Sequence, residues 1–297
     1  MKEAPEQKGI QGFKRLKGPE FLELWDSIVV PRSVKEKLSG QALLNFTFRP
    51  QVPASVVPLH GVILLVGSPG TGKTTLARGL ASVIADAMKP KPLAYLEIEP
   101  HSLTSSAHGK TQKAVSELFG QTIAEFAAVE PTYVLLDEVE TILADRAKLS
   151  LEANPIDVHR ATDAALVQLD YLAQSYPNLL IVATSNFPEA IDAAFVSRCD
   201  LVLHVPLPDA KACREILSST LTGLRKVFPG APDLANSAAL NEIVDSCIGM
   251  DGRQIRKMVA AACASRRESA LNPNKLTIDD LKKCAEAWSN QKQEIEL

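Results

Sequence analysis

Val62-Ile63-Leu64-Leu65-Val66-Gly67-Ser68-Pro69-Gly70-Thr71-Gly72-Lys73-Thr74-Thr75-Leu76-Ala77 is the stretch that decides the fold. Its first five residues are apolar and rich in β-branched side chains, which reads as a buried strand. The strand runs directly into Gly67–Thr74, a complete match to G-x-x-x-x-G-K-[ST], and helical periodicity follows. A strand, a glycine-rich turn and a helix in that order make a phosphate cradle. Glycines let the chain wrap closely, and backbone N–H groups at the helix N-terminus face the anion. In this reading Lys73 reaches the β/γ-phosphates and Thr74 ligates Mg²⁺, while Gly67, Ser68, Pro69, Gly70, Thr71, Gly72 and Thr75 complete the contact with ATP.

Four more apolar runs lie around this one: Leu93–Ile98, Tyr133–Leu136, Leu179–Ala183 and Leu201–Val205. The segments between them are long enough to carry helices, so the expected core is a parallel sheet wrapped by helices, an α/β fold. Strand signals stop at Pro206 and Pro208, and Ala/Leu-rich helical patterns run to the end of the chain. Three segments follow: residues 1–18 as a flexible tail, 19–207 as a large α/β domain, and 208–297 as a small helical lid. Between Pro19 and Leu44 a short apolar segment precedes a helix that starts near Pro31.

The second strand with chemistry at its end is Tyr133–Leu136, which delivers Asp137 and Glu138 to the carboxyl edge of the sheet, where open α/β sheets bind ligands. Asp137 suits the Mg²⁺ shell, and Glu138 suits polarisation of the attacking water as general base. The next strand ends in Thr184-Ser185-Asn186, which places Asn186 beside that water and the γ-phosphate. Further on, Arg198 precedes a strand and could stabilise transition-state charge from a neighbouring subunit; Arg253 opens a C-terminal helix, where an arginine opposes the dipole and could serve a ligand instead.

Composition excludes several classes. The chain has 46% hydrophobic residues and a formal net charge of −3, so it can build a core and carries no global basic field to recruit nucleic acid. No apolar run approaches the roughly 20 residues of a membrane span, and the N-terminus lacks an apolar leader core, so a cytosolic protein is expected. Cys199, Cys213, Cys247, Cys263 and Cys284 form no CxxC and read as reduced thiols.

The ordered set Gly67–Thr74, Asp137-Glu138, Asn186, Arg198 and Arg253 resembles the Walker A, Walker B, sensor-1, arginine-finger and sensor-2 elements of AAA+ ATPases. Longer strings, among them Phe21–Val29, Asp137-Glu138-Val139-Glu140, Asn154–Asp157, Ala194–Arg198 and Gly252–Lys257, are similar to the pachytene checkpoint family of HORMA-domain remodellers over roughly residues 20–297. The resemblance implies ATP bound between a large domain and a helical lid, a homo-hexameric ring, and a HORMA-domain substrate converted from closed to open. It also implies that Ile28 and Val29 border the adenine. It looks like the bacterial single-domain members, which lack the family's N-terminal adaptor and serve antiphage defence beside HORMA proteins and a nucleotide second-messenger synthase.

One departure concerns the pore loop, Ser102 to Lys113: where the family presents an aromatic pair, this chain has Ala107-His108. A second loop, Ala147–Asp157, is expected to line the pore. Two other readings stay open at this point, an AAA+ machine acting on another protein or a DNA-loading client, and a nucleotide-gated scaffold without turnover.

Overall fold

The structure is a computed structural model that describes residues 9–103, 110–145 and 155–295. The chain divides into two compact units, one of Met1–Gly67 with Lys73–Val205, the other of Ser68–Gly72 with Pro206–Leu297.

In chain order the first unit contains β1 (Ile10–Leu16), α1 (Leu22–Ser27), α2 (Arg32–Thr47), β2 (Val62–Val66), α3 (Lys73–Ala87) and β3 (Leu93–Ile98). After these come α4 (Lys110–Glu117), a π-helical stretch (Leu118–Ile123), α5 (Ala124–Ala127), β4 (Thr132–Leu136), α6 (Pro155–Ser175), β5 (Leu179–Ser185), α7 (Ala193–Val196) and β6 (Leu201–His204). The five strand segments read from the sequence are all present, and α2 begins directly after Pro31.

The strands form one sheet in the order β1-β3-β4-β5-β2-β6. All neighbours are parallel except β1, which runs antiparallel to β3. Alternation along the strands sorts side chains to two faces. Val62, Leu64 and Val66 join the core shared with Phe119, Phe126 and Leu169, while Ile63 and Leu65 join the core under α2 and α3 with Leu38, Leu76 and Leu80. Both faces are covered, which is why the strands are continuous apolar runs. On the second face α1 approaches so closely that a Cβ at Gly79 would lie 2.6 Å from the backbone N of Trp25.

β1 corrects the expectation of a flexible tail over residues 1–18: residues 10–16 are an edge strand paired with β3. Leu16 is fully buried, the Phe13 ring lies 4.9 Å from that of Phe126, and Arg15 donates to Glu130 at 2.9 Å. Its apolar residues, Ile10, Phe13 and Leu16, do not alternate, and lysine and arginine stand among them. Such charge belongs on an edge strand, which must avoid further pairing.

The second unit is helical: α8 (Ala210–Val227), α9 (Leu240–Cys247), α10 (Gly252–Ala264), α11 (Arg267–Leu271) and α12 (Ile278–Ile295). α8 buries Cys213, Ile216, Leu217 and Leu221, and α10 buries Ile255, Met258, Val259 and Ala262, the one-sided stripes of amphipathic helices. Asp209 and Asp251 cap α8 and α10, each accepting a backbone N–H at 2.8 Å. All five cysteines are free, and burial pushes the Cys199 and Cys247 thiols up to about 12, which keeps them protonated.

Candidate functional site

The strand order brings the chemistry together. β4, β5 and β2 are adjacent and parallel, so their carboxyl ends present Asp137, Thr184 with Asn186, and the turn into α3 along one edge.

Lys73, the first residue of α3, is only 5% exposed. Its Nζ donates to the Gly67 carbonyl at 2.8 Å and to Asn186 Oδ1 at 2.7 Å. Thr74 follows and donates from Oγ1 to Asp137 Oδ1 at 2.7 Å. Thr184 donates to the same oxygen at 2.5 Å and accepts the Glu138 backbone N–H at 3.2 Å. Thr75 is half-buried on the first turn of α3.

Glu138 sits in the left-handed region, φ +55°, the one non-glycine residue with positive φ among those described. That conformation costs on the order of 1–3 kcal/mol and is retained where a side chain must be aimed. Its carboxylate is held from both sides. Asn186 Nδ2 donates to Oε1 at 3.3 Å, and His101 Nε2 lies 3.0 Å from Oε2. Asn186 is steadied in turn, its backbone N–H donating to Glu140 at 3.2 Å. Thr184, Glu140 and His101 are the members that residue reading missed. Thr184 was visible as the polar end of its strand, whereas His101 reaches Glu138 from a sequence distance of 37 residues and left no local signal.

Arg198 is bound within its own chain. Nε and Nη2 donate to the two oxygens of Asp170 at 2.7 and 2.8 Å, and Nη1 donates to the Ala194 carbonyl at 2.7 Å. These hydrogen bonds hold the Asp170 carboxyl below its ordinary range and push the Arg198 guanidinium up. Ile28 is 8% exposed and packs in the core under α2 and α3, and Val29 beside it is half-buried.

The loop segment Ser68–Gly72 groups with the helical unit. Thr71 donates from Oγ1 to the Ser68 carbonyl at 2.9 Å, and Gly70 and Gly72 adopt φ +80° and +92°. A Cβ at Gly70 would collide with the carboxylate of Asp251, so only glycine fits there. Arg253 is exposed on the first turn of α10. Ala107, His108 and residues 147–154 lie outside the described residues; 155–157, expected as part of the second loop, belong instead to α6, which Pro155 opens.

The donor set fits Mg²⁺. Thr74 and Asp137 supply hard oxygens 2.7 Å apart, and a single carboxylate with a hydroxyl suits an ion that fills its remaining positions with phosphate and water. Among the described residues no helix is long and apolar enough to cross a membrane.

The profile of the ATPase family associated with various cellular activities (AAA) matches residues 63–207. The chain is 58% identical over 275 residues to CD-NTase-associated protein 6 of Pseudomonas aeruginosa, covering 93% of this chain and 90% of that protein. It is 32% identical to a pachytene checkpoint protein 2 homolog of Oryza sativa subsp. indica over 84% of this chain, and it spans 60% of that relative's length. A chain of the E. coli MS115-1 HORMA:CdnC:Trip13 complex shares the fold, with a TM-score of 0.76 at 17% identity, covering 93% of this chain and 94% of that one.

Proposed function

The chain belongs to the AAA ATPases, in their pachytene checkpoint group, and from that premise we propose that it is a homo-hexameric, ATP-driven remodeller that opens a closed HORMA-domain protein. The observation that carries the catalytic part is the amide of Asn186, which links Lys73 to Glu138. The client is supported by the similarity to a CD-NTase-associated protein and by the fold shared with a chain solved beside a HORMA protein. On this reading the protein works in the cytoplasm and switches off an antiphage signalling complex that contains a nucleotide second-messenger synthase.

The roles proposed here rest on those contacts where they exist and on the family membership for the rest. Residues 67–75 hold the phosphates of ATP, with the Lys73 ammonium turning from Asn186 towards them. Thr74 and Asp137 would hold Mg²⁺, which supplies neutralisation of phosphate charge when bound. Glu138 takes a proton from the attacking water, and Asn186, already bonded to that carboxylate, orients the water in line with the γ-phosphate. Arg198 leaves Asp170 to meet charge on the neighbouring subunit's nucleotide, and Arg253 adds a second positive charge to the nucleotide. Ile28 and Val29 border the adenine. A net charge of −3 does not favour a DNA client.

The deciding measurement is ATP turnover by the wild type and by Glu138→Gln, with and without a closed, peptide-bound HORMA protein. Stimulation of the wild type together with stable capture by the variant is expected. Turnover that ignores the HORMA protein, with no capture, would leave the ATPase standing and remove the client.

A further inference from the structure

At the amino edge of the sheet, opposite the carboxyl edge that carries Lys73 and Asn186, the chain buries an arginine with no carboxylate partner among the described residues. Arg49, just past the end of α2, is 7% exposed. Its Nη1 donates to Asn45 Oδ1 at 3.0 Å and to the Leu179 carbonyl at 2.7 Å, and Nη2 donates to the Ala173 carbonyl at 2.7 Å. Nε is enclosed and has no acceptor. Each of these three partners is neutral. The carboxylate that most affects Arg49 through space, Asp200, spends its own oxygens on the backbone N–H groups of His60, Gly61 and Val62.

Such an arrangement is costly, because a buried charge is ordinarily paired or neutralised. Burial accordingly pushes the Arg49 guanidinium down to about 10. The chain nevertheless shapes itself around this cation. Gly61 has φ +74°, and a Cβ there would collide with Arg49 Nη1.

Arg49 lines a cavity of about 280 Å³ together with Pro50, Pro53, Val57, Leu59 and Pro177, and Gln51 and Gln174 also belong to its lining. Leu59 precedes β2 and Pro177 precedes β5, so the cavity stands off the catalytic edge by the length of β5, roughly 20 Å for seven residues. The loop that covers it, residues 50–59, contains no helix or strand and can yield by the small displacement that an entering group needs.

We propose that this cavity is a binding site for a monocarboxylate borne on a compact apolar group, with the Arg49 guanidinium as its anion ligand once the covering loop gives way. Nε–H has no acceptor and Nη2 spends one hydrogen bond on a neutral carbonyl, so the guanidinium has donor capacity left, and its planar form matches a planar carboxylate. One negative charge neutralises the arginine. A dianionic phosphate would leave surplus charge among prolines and valine, which the apolar walls penalise. The carboxylate can be that of a free small acid or one carried on a docked protein; the chemistry is the same.

Calorimetric titration of the full chain with N-acetyl-leucine, N-acetyl-leucinamide and inorganic phosphate tests this. The acid should bind, with the amide and phosphate weaker by about tenfold or more, the loss of one charge-assisted hydrogen-bonded pair. Ala54→Trp, on the exposed rim of the cavity, should abolish acid binding and leave basal ATP turnover unchanged. Gln174→Trp serves as a second block should Ala54→Trp fail to fold. No binding of the acid at its solubility limit, equal binding of acid and amide, tighter binding of phosphate, or binding that survives both blocks would overturn the proposal. Peptides then separate the sources. One with a free C-terminal leucine reports a chain end, one amidated with an internal aspartate reports an acidic side chain, and response to the free acid alone reports a small molecule.

Discussion

Lys73 and Asn186, 113 residues apart in sequence, are joined by a 2.7 Å hydrogen bond, and the amide that accepts it donates at 3.3 Å to Glu138. One side chain thus reports on both the proposed phosphate-binding cation and the proposed catalytic carboxylate. Replacing Asn186 with Asp keeps an acceptor for Lys73 but removes the donor and sets a carboxylate against Glu138. Turnover should fall about 10²- to 10³-fold, the usual loss when one preorganised polar group is removed, while nucleotide affinity changes little. Phosphate release and binding of a fluorescent ATP analogue, measured together, check the split. A loss of affinity equal to the loss of turnover would place Asn186 in binding alone.

Glu138 makes the complementary case. Glu138→Gln preserves shape and one acceptor oxygen but cannot take a proton, so kcat should drop about 10²- to 10⁴-fold with ATP still bound. Lys73→Ala should instead abolish nucleotide binding, because it removes the buried ammonium proposed to bind the phosphates. Equilibrium dialysis with ATP distinguishes the two variants. Wild-type turnover by Glu138→Gln would end its assignment as base.

How much of this was legible in the sequence depended on whether a contact was local. Val62–Thr74 announced strand, loop and helix within thirteen residues, and Tyr133–Glu138 did the same for the acidic pair, so both ends of the site were readable. His101 and Glu140 were not read as site residues, since their roles exist only after β3, β4 and β5 are aligned in register. β1 was hidden by its own edge position, which favours charge and weakens alternation. Arg198 was legible as a candidate by its place before β6, but its bond to Asp170 depends on the packing of α6 and left no sequence signal.

In the helical unit, Asp280 carries a pH-dependent share of stability. It accepts from Arg266 Nε at 2.6 Å and from the Thr277 N–H and hydroxyl at 2.9 and 2.7 Å, and Arg266 above all holds its carboxyl well below the ordinary 3.8. A depressed folded-state pKa means the stabilisation is fully present above the unfolded value and fades as pH falls below about 4 towards the folded one. Asp280→Asn should cost about 1–3 kcal/mol at neutral pH, with Arg266 partly exposed at the surface keeping the figure towards the lower end. The difference in melting temperature between wild type and variant should narrow as the buffer is taken below pH 4. A constant difference would assign the loss to packing rather than to charge.

Arg198 gives the test of oligomeric action. It is exposed enough to move yet holds Asp170 through two parallel bonds, so its transfer to a neighbour's nucleotide must replace those bonds with phosphate contacts of at least equal strength. Arg198→Ala should therefore reduce turnover by about 10³-fold or more, within the range seen when an arginine finger is withheld, and leave ATP binding in place. Mixing Arg198→Ala subunits with Lys73→Ala subunits separates action in trans from action in cis. Arg198→Ala alone turns over only at its residual rate and Lys73→Ala alone not at all, but an Arg198→Ala subunit retains a competent nucleotide site, and a Lys73→Ala neighbour retains the arginine to serve it. Partial recovery of phosphate release on mixing is expected, with its maximum at intermediate ratios where mixed contacts are most frequent. Absence of recovery, in mixtures shown by native mass spectrometry to have exchanged subunits, would confine Arg198 to its own chain and make the Asp170 pair a structural clasp between α6 and the turn before β6.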